Sequence, residues 1–416
     1  MASTGRSWTA FGNLVISLGT HALGQPDVVF SEAERARQRN NQTGHLLANG
    51  NSDIALGPAQ EAVSIHRRLA LANPVAYEPD LAMSLNNLAI CMGGMGNQKS
   101  ALALLQEAVS IRRRLVLANS AAHGPGLATS LINLASCMSS VGDRTGALAP
   151  AQEALRIYRR LSRANLAVYE PGLATCLNNV ANIMSDVGDR QGALAPAQEA
   201  VSIRRRLALA NPAVHEPDLA LSLSNLANRT SNVDDRQGAL ALAQESVSIR
   251  RRLARANPAA HVPGLAGGLN NLSNFMSYVG DLQSALTHAQ EAVSIHSQLA
   301  LTNPMAYEPD LAKSLNNLAN CTSGVGDRQG ALALAQESVS IRGRLALANP
   351  AAYEPDLAMS FGTCMQCFRA AGDVTKARAS GEEALVLFTR LCLANPAKFE
   401  HFKESVLNEL AELAKE

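Results

Sequence analysis

Asparagine, arginine and cysteine recur in this chain at spacings that could do chemistry. "SLNNLA" at Ser84 to Ala89 returns unchanged at Ser314 to Ala319, with variants beginning at Ser130, Cys176, Ser222 and Gly268 between them. Asparagine is a poor helix former, because its amide competes for backbone hydrogen bonds. Its repeated use in one helical slot therefore needs a reason. The second Asn recurs as Asn87, Asn133, Asn179, Asn225, Asn271 and Asn317, and is lost at Thr363. Three residues further on, the slot reads Ile90, Ser136, Asn182, Asn228, Asn274, Asn320 and Gln366. A side-chain amide both donates and accepts, so it can pair with the backbone of an extended peptide whatever that peptide's sequence. It can equally bond to other amides or to neighbouring helices and order a stack.

A second candidate is basic. Arg112-Arg113-Arg114, Arg204-Arg205-Arg206 and Arg250-Arg251-Arg252 form clusters, with weaker forms at His66-Arg67-Arg68 and Arg342-Gly343-Arg344. Such a stripe can hold phosphate or an acidic partner. Against that use, the first position also accepts Tyr158 and Phe388, the run is broken at His296-Ser297-Gln298, and every unit brings acids such as Glu107 and Glu78/Asp80. These features favour a solvated, locally neutralised convex face, with the first Arg stem packed inward.

Cysteine and glycine yield less. "CMQC" at Cys364 to Cys367 has the form of a metal or redox half-site, but Cys367 shares its slot with Cys91, Cys137 and Cys321. No second CxxC completes a zinc site. "GVGDRQG" at Gly324 to Gly330 lacks the Lys-Ser/Thr of a phosphate loop. With no nucleophile elbow, HExxH or catalytically spaced carboxylate pair, the reading is a non-enzyme with no cofactor and no metal.

The elements that must position these residues follow from an internal repeat. The residue after "NPAA" and its variants falls at Tyr77, His123, Tyr169, His215, His261, Tyr307, Tyr353 and Phe399, each 46 residues after the last. His123, His215 and His261 thereby read as interrepeat packing residues. Within one unit Leu81, Leu85, Leu88, Met92 and Met95 mark the apolar face of a helix A. Gly96-Asn97, elsewhere Gly-Asp, ends it and caps a helix B with Ala101, Leu104, Ala108, Ile111 and Leu115 on its buried face. "ANP" and a short loop stop helix B, and "EPD" restarts helix A. Pro58, Pro150 and Pro196 fall inside helix B, where slight bends rather than breaks are expected.

A lone hairpin of this kind cannot bury its apolar stripe, so it must stack on its neighbours. Leu85, Leu88, Ala89, Met92, Gly96, Ala101, Leu105 and Ala108 match the large and small slots of the tetratricopeptide repeat (TPR), and the unit resembles the long TPR units of kinesin light chain. The resemblance implies an all-α, right-handed superhelical solenoid of about eight antiparallel helix hairpins plus a C-terminal capping helix. Residues 31–398 would form the array and residues 399–416 the cap. Residues 1–30 lie outside the pattern and are expected to be disordered or loosely packed. Kinesin association is not expected, because no heptad region precedes the repeats.

In TPR arrays helix A lines a concave groove. The resemblance thus places Asn87, Asn133, Asn179, Asn182, Asn225, Asn228, Asn271, Asn274, Asn317 and Asn320 in a peptide-binding groove, with Asn86 flanking the same face. Successive A helices about 10 Å apart would meet an extended peptide, rising about 3.3 Å per residue, at roughly every third residue. At about 0.5–1.5 kcal/mol per hydrogen bond, several together reach micromolar-range affinity.

Lys+Arg 36 against Asp+Glu 35 gives a formal charge of +1, which argues against a dedicated nucleic-acid or membrane-surface binder. No stretch reads as a membrane span, and a cytoplasmic location is the default. The expected function is a protein-interaction scaffold or adaptor with a protein or peptide partner, monomeric or weakly self-associating. The alternatives are a regulatory, self-associating array from a signalling protein, and a convex Arg-face binder of an acidic partner or nucleic acid.

Overall fold

The computed structural model describes residues 31–48 and 51–415, all of whose regular elements are α-helices. The expectation for residues 1–30 lies outside the described residues. A-type helices are α1 (Glu32–Ala48), α3 (Pro74–Gly94), α5 (Ser120–Ser140), α7 (Leu166–Asp186), α9 (Pro212–Ser231), α11 (Pro258–Tyr278), α13 (Pro304–Gly324), α15 (Pro350–Ala370) and α17 (Pro396–Leu413). They alternate with B-type helices α2 (Ser52–Ala72), α4 (Gln98–Ala118), α6 (Arg144–Ala164), α8 (Leu194–Ala210), α10 (Arg236–Ala256), α12 (Leu282–Thr302), α14 (Arg328–Ala348) and α16 (Val374–Ala394). The described residues form two compact units, one made of those up to residue 141 with 145–169, and the other of residues 142–144 with 170–415. Within each, consecutive helices pack as antiparallel hairpins, the arrangement expected of TPR stacking.

A regular repeat divides its 46 residues among a 21-residue helix A, one Asn, a 21-residue helix B and a three-residue turn. The junction from B to A is tighter than expected. There is no loop: Asn73 ends α2 and caps α3, its Oδ1 accepting the Ala76 N–H, and Pro74 takes the first helical position. Glu78-Pro79-Asp80 therefore lies in the second turn of helix A, and Pro79 sits inside the helix. The same Asn cap recurs at Asn119, Asn257, Asn303, Asn349 and Asn395.

The opposite turn behaves as expected. Gly96, Gly142, Gly188, Gly280, Gly326 and Gly372 all take positive φ, a conformation that glycine adopts without a Cβ penalty. Asp234 fills this slot in one repeat, at φ 65°, the one positive-φ non-glycine among the described residues. The following Asn or Asp then caps helix B, as Asp327 does by accepting from the Gly330 N–H.

Pro58 and Pro150 are carried inside α2 and α6. At Pro196 the outcome differs, because α8 starts only at Leu194 and Arg190–Ala193 form turns. Proline has no N–H to donate to the carbonyl four residues back, yet Pro150 in the same slot leaves α6 starting at Arg144, so the proline alone does not account for the late start of α8. The sequence Asp-Arg-Gln-Gly-Ala-Leu-Ala recurs from Asp235, where Leu242 replaces the proline and α10 starts at Arg236.

Large and small residues interlock in the core. Leu85, Leu131, Leu177, Leu223, Leu269 and Leu315 are one fully enclosed leucine per repeat. Ala101, Ala108, Ala147, Ala154, Ala239, Ala285 and Ala292 let the helices approach closely. At the C-terminal end Phe399, Val406 and Leu413 of α17 are buried, and its remaining positions are largely exposed.

Candidate functional site: the asparagine face of the A helices

The paired asparagines divide by burial. Helical geometry turns successive residues by 100°, and that rotation sends the first Asn between repeats and the second toward solvent. In the first unit, Asn40 donates to Ser84 Oγ at 2.8 Å and Asn86 to Ser130 Oγ at 2.7 Å. In the second, Asn178, Asn270 and Asn316 donate to Ser222, Ser314 and Ser360 at 2.7, 2.7 and 3.0 Å. All five amides are buried. This corrects the placement of Asn86 beside the groove face: it is a rivet between adjacent A helices.

The sequence contains an overlooked signal for this ladder. Asn occupies the first slot wherever Ser follows 44 residues later, while Ile132 and Ser224 precede Cys176 and Gly268. The residue pairs thus covary within one chain, as a contact between consecutive repeats requires.

The second Asn lies on a different stripe. In the first unit Met83, Asn87 and Ile90 run along α3, with Met83 and Ile90 exposed and Asn87 half-buried. In the second unit Asn179, Asn182, Asn225, Asn228, Asn271, Asn274 and Asn317 are half-buried and Asn320 is exposed. Four consecutive A helices, α7, α9, α11 and α13, thereby present two amides one turn apart. Two atoms of these amides, Asn182 Oδ1 and Asn317 Nδ2, are buried without a hydrogen-bond partner, so each of those side chains has only its other polar atom to offer. Asn133, in the first unit, donates to Asn86 Oδ1 at 3.4 Å, so there the second Asn joins the structural ladder.

Charge is scarce on this face. Lys313 is exposed on α13 in the slot of Met83 and Leu221. Arg229 lies beside Asn228, where burial pulls its pKa down and Asp186 opposes that shift.

The arginine clusters are consumed by the fold. The second Arg crosses to the next helix B: Arg67 to Glu107 and Arg113 to Glu153 in the first unit, Arg205 to Glu245 and Arg251 to Glu291 in the second. The third pairs with the start of the preceding helix A: Arg68 with Glu32, Arg114 with Glu78, Arg206 with Glu170, Arg252 with Glu216 and Arg344 with Glu308. The first turns inward. Arg250 donates to Gly264 O, and Arg342 to Asp356 O and Ser360 Oγ, each at 2.7 Å. His66 and His296 fill this buried slot in two repeats, with Nδ1 2.7 and 2.6 Å from Ser84 and Ser314 Oγ. Burial lowers both imidazole pKa values, against the pull of Asp80 and Asp310.

The seven cysteines are all buried. Burial pushes the Cys367 thiol up to about 11, with Cys364 adding to the shift, so neither is a ready thiolate at neutral pH. No group of three or more His, Cys, Asp or Glu among the described residues could hold a metal ion.

A family model for the tetratricopeptide repeat matches residues 81–121, 127–165, 173–211, 219–256, 265–300 and 311–349. The chain belongs to the tetratricopeptide repeat family. Among solved structures it is similar to the apo form of the quorum sensor NprR from B. thuringiensis, with TM-score 0.55 and 11% identity over 91% of this chain and 94% of that one. A signal transduction ATPase with a tetratricopeptide repeat sensor from Pyrococcus horikoshii gives TM-score 0.50 and 13% identity, over 93% of this chain and 56% of that one. A putative kinesin light chain with TPR-like repeats from Podosopora anserina gives 0.41 and 18% identity, over 53% and 97%. The first two likenesses show the fold. No curated protein sequence matches.

Proposed function

We propose that this chain is a protein-interaction scaffold, and that the A-helix face of its second unit is a groove that binds an extended segment of a partner protein. The observation that carries this reading is the division of labour within each Asn pair. The first residue is used up inside the stack, by Asn178, Asn270 and Asn316 between repeats and by Ser224 in their place on α9, whereas Asn179/Asn182, Asn225/Asn228, Asn271/Asn274 and Asn317/Asn320 stand on a half-exposed stripe with little charge. Four steps of such amides offer donors and acceptors to a peptide backbone, with specificity left to the side chains between them. Asn87 and Asn133 extend the proposal to the first unit, where Asn133 must release Asn86 to take part.

The test compares proteins captured from lysate by wild type and by the variant with Asn179, Asn225, Asn271 and Asn317 all changed to Ala, after circular dichroism shows equal helicity. Partners lost by the variant support the groove. Identical partner sets from two equally folded proteins would overturn it.

A further inference from the structure

Buried polar atoms without partners stand in matched pairs on consecutive A helices of the second unit. Asn270 Oδ1 on α11 and Asn317 Nδ2 on α13 are both buried and unpartnered, and so are Asn182 Oδ1 on α7 and Arg229 Nε on α9. In each pair one atom accepts and the other donates, and the two residues stand in the same relation along the chain as a bond the stack already makes. Asn133 Nδ2 donates to Asn86 Oδ1 at 3.4 Å, and Asn232 Nδ2 to Ser185 Oγ at 3.3 Å, each across 47 residues. The second of these joins the end of α9 to α7 one turn beyond Arg229 and Asn182. A buried donor or acceptor left unpaired is rare in folded chains and costly, so two complementary sets in one register need a common reason. Arg229 sharpens the point. Its slot holds Cys91, Cys137, Ile183, Phe275, Cys321 and Cys367 in the other repeats, all buried. Asp186 attracts its charge, yet no hydrogen bond reaches Nε. A guanidinium belongs in such a slot only where it has an acceptor to meet.

We propose that these pairs are latches between neighbouring A helices, closed while the groove is empty, as Asn133 is closed on Asn86, and opened by the partner segment that takes up the freed amides. Asn317 bonds to Asn270 in the closed state, and Arg229 to Asn182. In the open state Asn317 Nδ2 receives a backbone C=O of the partner and Asn182 Oδ1 a backbone N–H. Asn271 has no latch. The residue in register with it is Ser224, whose hydroxyl is already bonded to Ser246 Oγ and Ala220 O. Asn271 therefore meets the partner at no opening cost, while Asn182 and Asn317 each give up one internal bond to do so. The stripe is thus unequal along its length, with its strongest contact at α11. The latches follow from the register of the helices alone, whereas their gating role rests on the groove of the proposed function.

Double-mutant cycles read by urea denaturation test the latches without any ligand. Asn317→Ala should lower the folding equilibrium constant about 5-fold in wild type, and leave it unchanged in the Asn270→Ala background. Asn182→Ala should couple in the same way to Arg229→Ile, which installs the residue found at Ile183 and does not depend on Asn270→Ala folding well. Ser224→Ala and Asn271→Ala should add independently. Calorimetry with a peptide selected from a random display library on the full chain then reads the gating. Asn270→Ala removes the latch acceptor and keeps Asn317, so it should tighten that peptide about 5-fold. Additive losses in a cycle overturn the latch it tests and leave the groove standing. Coupled cycles with a peptide affinity that Asn270→Ala does not raise overturn the gating.

Discussion

Replacing Asn270 by Ala removes the donor to Ser314 from a site that is 2% exposed. The same change at Asn271, one residue on, touches a half-buried amide with solvent beside it. Asn270→Ala should therefore cost about 1–2 kcal/mol, and Asn271→Ala no more than about 0.5 kcal/mol, as read from urea denaturation. Asp234 offers a gain by the same method. Its positive φ is one that glycine takes in six other turns, so Asp234→Gly should stabilise by up to about 1 kcal/mol. The buried imidazoles set a pH dependence. Their pKa values lie below the ordinary value near 6.5, so the unfolded chain takes up protons first as pH falls. Stability present above about pH 6.5 is then lost on acidification, down through the folded-state pKa values. His296→Arg, which installs the residue found at Arg250 and Arg342, should reduce the fall in melting temperature between pH 7 and pH 5. A fall of the same size in that variant would place the acid sensitivity elsewhere.

At the scale of the helix, the 46-residue period and the spacing of Leu85, Leu88, Ala101 and Ala108 made the hairpin legible, because a stack must reuse the same large and small slots in every layer. The start of helix A was less legible. Glu-Pro-Asp carries the composition of a first turn, yet Asn73 and Pro74 cap the helix five residues earlier, and Pro79 is accommodated inside it. The site was legible in part. Two adjacent amides look alike in a sequence, and only their packing distinguishes Asn86, which bonds to Ser130, from Asn87, which does not. The 44-residue pairing of Asn with Ser held that information, but it becomes a signal only once consecutive A helices are known to touch. The Arg clusters were partly legible: the Tyr158 and Phe388 substitutions foretold an inward first position, whereas the crossings of the second and third Arg depend on how the helices stack. These exposed pairs are each worth about 0.2–1 kcal/mol, so they tune the stack while apolar burial holds it.

Across the whole molecule, one repeated hairpin divides different tasks among its surfaces. Leucine and alanine hold each unit together, buried Asn–Ser pairs register neighbouring repeats, and the Arg–Glu pairs neutralise the charge of the clusters. No described helix is long and apolar enough to cross a membrane. What remains for recognition is the amide stripe of the second unit. A stripe that reads a peptide backbone is tested by an N-methyl scan. A peptide selected from a random display library on the full chain is titrated by calorimetry, with each backbone nitrogen methylated in turn. Loss of affinity should recur at about every third residue. The variant with Asn179, Asn225, Asn271 and Asn317 changed to Ala should bind the parent peptide at least about 30-fold more weakly, as four hydrogen bonds of about 0.5 kcal/mol or more require. A peptide that tolerates methylation at every nitrogen, and binds the variant as tightly as wild type, would mean that the amide stripe does not read the backbone.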